Sequence, residues 1–297
     1  MDFSYSLDKI KLCGKIKRSK HKWIPNFSWV HCWAEYLSYH SDIEIKDVQT
    51  SFAPFRYKYA YVLQRRGEKD GSFFIAEGYN GDLKETRPSP DRFQVEYNPN
   101  KSGAYIWQKF CDSFIFYLTD IKSIDIAYDI PDTSINDVFL DTKCDVMTYG
   151  KSFNSTYYIS PKQRESGRVK IYQKDIENAS FKENTLRIEC TLKGSWLSFS
   201  PYNDDKSREE LTRCVEYLNS VKVRKNSFDT NDWKLYALSL LSQKDLTSVL
   251  GKMSFKTRTK YFEELSPSYD FLNLDMLTLA IHITNLLKPY ERRFRII

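Results

Sequence analysis

Hydrophobic and polar residues alternate with a period of two along four stretches in the middle of the chain. These are Phe93-Gln-Val-Glu96-Tyr97, Ile124-Asp125-Ile-Ala-Tyr-Asp129, Val169-Lys170-Ile-Tyr172 and Leu186-Arg187-Ile-Glu189-Cys-Thr-Leu192. Successive side chains of a strand point to opposite faces, so the pattern predicts strands with one apolar and one polar face. The expected strands cover 93–97, 123–130, 169–172 and 186–193, the first two stopped by Pro99 and Pro131. Upstream, 10–13 reads as a strand. Residues 28–40 read as a helix, with Ser28 as its cap and Trp29, Cys32, Trp33 and Tyr36 at helical spacing. Residues 59–64 and 73–77 flank Arg-Arg-Gly-Glu-Lys-Asp-Gly and predict a hairpin, 81–91 is a loop, and 104–118 is an apolar helix. A further strand pair is expected at 146–149 and 155–159.

After about residue 195 the period changes. Helices are expected at 208–220, 231–241, 254–264 and 270–288, behind a polar break at 198–207. The expectation is an α+β fold: an antiparallel-rich sheet domain over 1–200 with helices on one face, then a helical C-terminal region over 201–297.

Composition adds limits. The 297 residues carry a net charge of +6, which permits a polyanionic partner, and their 41% hydrophobic content is ordinary for a globular protein. The six cysteines form no Cys-x-x-Cys pair, so no zinc ribbon or redox motif is visible. No signal peptide and no bilayer-length apolar run is seen, so the expectation is a cytoplasmic protein without a membrane partner. The histidines, at 21, 31, 40 and 282, include no His-x-His pair, which excludes that metal motif.

The chemistry lies on the polar faces. Asp125 and Asp129 flank Ala127, whose small side chain is expected to leave room for an ion or a phosphate. Glu96, Asp125, Asp129 and Glu189 converge if their strands are neighbours. Clustered carboxylates repel unless a positive charge lies among them, and oxygen donors suit Mg²⁺ or Mn²⁺. Arg168, Lys170 and Tyr172 share a face, with Lys174 beyond them. A phenol beside cations and a carboxylate-held metal suits attack on a phosphodiester. Solvated strand faces are the plain alternative for any one of these acids.

In chain order, these segments resemble the Rep-trans family of rolling-circle replication initiators. Phe93-Gln-Val-Glu-Tyr-Asn-Pro-Asn100 is similar to its Arg-Ile-Glu-Phe-Asn-Pro strand. Ser123-Ile-Asp-Ile-Ala-Tyr-Asp129 is similar to its Arg-Leu-Asp-Leu-Ala-hydrophobic-Asp strand. Val169-Lys-Ile-Tyr-Gln-Lys174, with Glu177, resembles its tyrosine segment, and 186–193 its following Arg-hydrophobic-Glu strand. Thr257-Arg-Thr-Lys-Tyr261 and Leu265-Ser-Pro267 resemble its helical tail. Residues 1–90 match nothing in it, and Ser123 and Lys170 stand where it has arginine.

The resemblance implies a metal-dependent enzyme that nicks one strand at a plasmid origin. Tyr172 would be the nucleophile, forming a 5′-phosphotyrosyl link that is later rejoined. It also implies a homodimer, origin DNA in duplex and single-stranded form, and a host helicase as partner. A conjugative relaxase with the same chemistry, or an origin-binding protein that no longer cuts, are the alternatives. Lys252, Lys256, Arg258 and Lys260 cluster at one helix start as candidate DNA contacts, and Arg292, Arg293 and Arg295 close the chain.

Overall fold

The computed structural model describes residues 3–16, 28–47, 59–67, 73–78, 92–100, 104–114, 117–140, 145–149, 156–160, 168–177, 184–193, 205–223, 233–239, 241, 243–265 and 272–294. The strands are β1 (Ser4–Lys15), β2 (Ile43–Asp47), β3 (Tyr59–Arg65), β4 (Phe73–Glu77), β5 (Arg92–Tyr97), β6 (Leu118–Ile130), β7 (Val138–Leu140), β8 (Asp145–Tyr149), β9 (Thr156–Ser160), β10 (Arg168–Gln173), β11 (Leu186–Lys193) and β12 (Val221–Val223). The helices are α1 (Trp29–His40), α2 (Ala104–Phe114), α3 (Lys174–Glu177), α4 (Asp205–Asn219), α5 (Trp233–Ser239), α6 (Gln243–Gly251), α7 (Phe255–Leu265) and α8 (Met276–Phe294).

The fold is α+β. Among the described residues, ten strands form one sheet in the order β2-β3-β4-β5-β1-β6-β11-β10-β9-β8, and β12 pairs with β7 in a second sheet. The pairings with described register are antiparallel. By contact, the chain forms two compact units, each discontinuous in sequence. One holds Met1–Tyr5, Ala127–Leu192 and Arg208–Ala280; the other holds Ser6–Ile126, Lys193–Ser207 and Ile281–Ile297. Among the described residues no helix is long and apolar enough to cross a membrane.

In the unit containing Ser6–Ile126, rings form the core. Trp33 of α1 meets Phe73 of β4 and Phe110 and Phe114 of α2, while Phe93 of β5 meets the same two α2 rings. Helices α1 and α2 therefore cover the same face of β4 and β5. A buried carboxylate starts α1: Glu77 accepts from the Ser28 hydroxyl and from the Val30 N–H at 3.0 Å. Ser28 itself accepts from the His31 N–H at 2.9 Å, which is the expected N-cap.

In the unit containing Ala127–Leu192, the apolar faces of β10 and β11 and one side of α4 are buried. Val169, Ile171, Ile188, Cys190, Leu211, Cys214 and Leu218 are each fully covered. The Cys214 thiol is pushed up by its hydrogen bond to Cys190 and by burial, so both behave as small core groups. Helices α5, α6 and α7 pack around Leu235, Leu238, Leu246, Leu250, Tyr261 and Leu265.

Several elements differ from the sequence pattern. β1 and β6 are longer than expected, running over Ser4–Lys15 and Leu118–Ile130. Helix α2 ends at Phe114, and Leu118, read as helical, opens β6. β2 and α6 went unforeseen: each is short, and α6 is held by burying Leu246 and Leu250 rather than by a long apolar stripe. The loop expected at 81–91 lies outside the described residues.

Gly14 of β1 faces Phe93 across the ladder. A Cβ there would lie 2.2 Å from the Phe93 ring and 2.5 Å from the Tyr117 carbonyl oxygen. Phe93 is fixed among other rings, so it cannot yield cheaply. Gly14→Ala is expected to destabilise the protein by about 1–3 kcal/mol, read as a lowered urea midpoint at constant m-value.

Candidate active site

The register of β10 against β11 builds the site. Lys170 lies opposite Glu189 and Tyr172 opposite Arg187, so these four side chains share one face. The intervening Val169, Ile171, Ile188 and Cys190 are buried on the other face. That packing sets the register, since a slip by one residue would bury the charges.

The tyrosine hydroxyl is the centre. It donates a short hydrogen bond to Glu189 Oε1 and accepts from Lys174 Nζ at 3.5 Å. Lys170 Nζ sits 3.8 Å from the Tyr172 ring centroid and 3.5 Å from Glu189 Oε2. The ring is only 6% exposed, and part of its cover is the two lysine side chains rather than apolar packing. Cations over a ring face are attracted by its quadrupole, so Lys170 and Lys174 are held here without a ligand.

Arg187 and Asp129 form the floor beside it. Arg187 Nε donates to Asp129 Oδ1 and Nη2 to Oδ2, both at 2.6 Å, a two-point pair with side chains 6% and 16% exposed. Behind Tyr172, the buried Gln173 amide accepts from the Ile135 N–H at 2.9 Å and donates to the Thr133 carbonyl and to Asp175 Oδ1. Asp175 also accepts from the Thr185 N–H at 3.1 Å, and the Lys174 N–H donates to the Thr185 carbonyl at 2.8 Å. Burial raises the Asp175 carboxyl, but the Gln173 amide and backbone N–H groups outweigh it and hold it below its ordinary value. These bonds tie α3, and so Lys174, to the end of β10.

The structure thus brings together Tyr172, Lys170, Lys174 and Glu189, with Asp129 one step away through Arg187. Arg168 is the first residue of β10, but its side chain lies outside the described residues. Glu96 and Asp125 belong to the other compact unit. Glu96 pairs with Lys9 and with Lys11 at 2.8 Å and accepts from Gln94 at 3.0 Å. Burial raises its carboxyl, but Lys11 and Lys9 outweigh this and leave it below the ordinary value. Asp125 is half-buried on β6.

The room expected above Ala127 is closed, because its side chain is fully buried. Asp129, Glu189 and Glu96 each have a cation or hydroxyl on both oxygens. Among the described residues, no group of three or more His, Cys, Asp or Glu side chains is arranged to hold a metal ion. As placed, these carboxylates do not fit a Mg²⁺ or Mn²⁺ site. Tyr158 of β9 lies opposite Lys170 and so shares the face of Tyr172, whereas Tyr157 lies opposite Ile171 and shares the other. Burial raises the Tyr157 hydroxyl.

Sequence reasoning missed the roles of Arg187 and Gln173. Arg187 had a signal, an arginine two residues before Glu189 on one strand face. Gln173 had none, since nothing local marks an amide whose partners lie at Thr133 and Ile135.

Lys252, Lys256, Arg258 and Lys260 are exposed, Lys252 in the turn before α7 and the other three on it. Arg292 and Arg293 lie on α8 with side chains outside the described residues, as does the whole of Arg295.

No family model matches the chain, and no curated protein matches it. Among solved structures it is similar to a rolling circle replication initiator protein from Geobacillus stearothermophilus. The TM-score is 0.39 and the identity 13%, over 78% of this chain and 91% of that one.

Two outcomes follow from these ion pairs. Asp129→Ala removes both carboxylate hydrogen bonds from the buried Arg187 guanidinium and is expected to cost about 3–5 kcal/mol, much of it recovered by adding Arg187→Met. A denaturation double-mutant cycle measures both terms. Glu96, with its folded value lowered, stabilises the fold at pH values above its ordinary 4.5, and that contribution is lost as pH falls through the lowered value. Glu96→Gln is therefore expected to flatten the acid limb of the stability profile, followed by thermal melts from pH 6 down to about pH 3.

Proposed function

We propose that this chain cuts and rejoins one strand of DNA with Tyr172 as nucleophile, as an initiator of rolling-circle replication. The observation that carries this is the Tyr172 hydroxyl held between the Glu189 carboxylate and the Lys174 ammonium, with Lys170 over the ring. The ordered resemblance of β5, β6, β10 and β11 to the Rep-trans motifs supports it.

The chemistry follows from the contacts. A scissile phosphodiester approaching the face meets two ammonium groups. They leave the ring for its non-bridging oxygens, which uncovers Tyr172 and offsets charge growing on the phosphate. The Tyr172 oxygen attacks phosphorus while its proton passes along the existing hydrogen bond to Glu189 Oε1. The bond from phosphorus to the 3′-oxygen breaks, and that oxygen takes a proton from water. The product is a 5′-phosphotyrosyl link and a free 3′-hydroxyl. A 3′-hydroxyl attacking the same phosphorus reverses each step and rejoins the strand.

Asp129 acts through Arg187, fixing its guanidinium beside Tyr172. The Rep-trans resemblance implies a divalent ion as well, which would add positive charge at the phosphate. Origin DNA in duplex and single-stranded form, a second copy of the chain and a host helicase belong to the same proposal. A conjugative relaxase would use identical chemistry.

One observation favours a second reading, a DNA-binding protein that no longer cuts: Tyr172 is 6% exposed. The assay that separates them mixes the protein and Mn²⁺ with labelled single-stranded oligonucleotides and seeks a covalent adduct on a denaturing gel. An adduct is expected from the native chain and none from Tyr172→Phe, while binding is retained. Glu189→Gln should slow adduct formation by about 10²–10⁴-fold. Adduct from Tyr172→Phe would move the nucleophile to Tyr158, and none from the native chain would favour the second reading.

A further inference from the structure

We infer that α6, the turn after it and α7 form a helix-turn-helix whose second helix enters the major groove of duplex DNA. The inference rests on the DNA reading above but concerns a surface that takes no part in the tyrosine chemistry.

The geometry is that of a three-helix unit. Only Lys252, Met253 and Ser254 separate α6 from α7. The Lys252 and Met253 N–H groups bond back to the Val249 and Leu250 carbonyls at 3.1 Å each, closing α6 tightly. Ser254 then caps α7, accepting from the Thr257 N–H at 3.3 Å, while the Arg258 N–H reaches the Ser254 carbonyl at 2.8 Å. Met253 packs down onto the shared core. A connection of three residues between two helices that share one apolar core is a feature of the helix pairs that bind DNA.

The outward face of α7 suits a polyanion. Tyr261 and Leu265 point into the core. At 100° per residue, Lys256, Thr259 and Lys260 occupy the opposite side. Phe255, the first residue of α7, is 76% exposed, and the Arg258 guanidinium lies 5.6 Å from its ring centroid. Lys260 makes a long pair with Glu264 at 3.9 Å; among the described residues, Lys252, Lys256 and Arg258 have no acidic partner.

The cations of α7, Lys256, Arg258 and Lys260, fill the N-terminal half, its acids Glu263 and Glu264 come last, and its first turn holds no acid. Helix α6 has Asp245 in its first turn, as the helix dipole favours. In α7 the charges run against the dipole, which costs a few tenths of a kcal/mol or more for each cation. Negative charge brought to this end relieves that cost, and acids at the far end discourage the C-terminal half from entering the same groove. Duplex DNA supplies one negative charge per about 1.7 Å of axis, and its major groove admits a single helix.

The test reads binding in the full-length Tyr172→Phe chain, so its result does not depend on whether the protein cuts. The probe is a 30-base-pair duplex of mixed sequence, followed by fluorescence anisotropy from 50 to 200 mM salt. Lys256→Ala with Lys260→Ala is expected to weaken binding at least about fivefold and to reduce the salt slope by about 2, one unit for each phosphate no longer neutralised. Lys46→Ala with Lys206→Ala removes equal charge from exposed positions elsewhere and is expected to leave the slope unchanged. Methyl green, which occupies the major groove, should displace the protein, whereas netropsin in the minor groove should not. Equal losses from the two double variants, or displacement by netropsin alone, would overturn the proposal.

Discussion

The short hydrogen bond from Tyr172 to Glu189 is the contact around which this face is organised. It joins residues on adjacent strands that are diagonal, not opposite, so it exists only in the observed register of β10 and β11. The same register sets Lys170 against Glu189 and Arg187 against Tyr172. It is maintained from behind by Val169, Ile171, Ile188 and Cys190, all fully buried. Apolar burial on one face therefore positions ionic chemistry on the other, a division that a two-residue side-chain period makes obligatory.

The acids of this face are paired with its own cations and hydroxyl. Asp129 is satisfied by Arg187, and Glu189 by Tyr172 and Lys170. Pairing of this kind explains how acids can crowd one side of a sheet without mutual repulsion. In the proposed reaction a phosphate would compete for the two lysines that cover the tyrosine ring. Tyr172, the proposed nucleophile, lies under the two lysines that would receive that phosphate.

The three-helix unit obeys a different balance of forces. Its core is a handful of leucines and one tyrosine, and the helices around it are short. Charges on α7 run against the internal preference of the helix. The face around Tyr172 pairs its ions internally, whereas α7 leaves Lys256 and Arg258 exposed toward solvent.

Alternation alone was enough to locate β5, β10 and β11 and to sort their side chains onto two faces, because period-two burial is written residue by residue. Helix α1 and its Ser28 cap were legible for the same local reason. What the sequence could not carry was partnership. That Glu189 meets Tyr172, that Arg187 claims both oxygens of Asp129, and that Glu96 pairs with Lys9 and Lys11 depend on which strands lie side by side. That is set by the sum of many weak apolar contacts between distant segments. Parity told which way each acid points; only the tertiary structure decided which cation answers it, since a charge interacts through space and not along the chain.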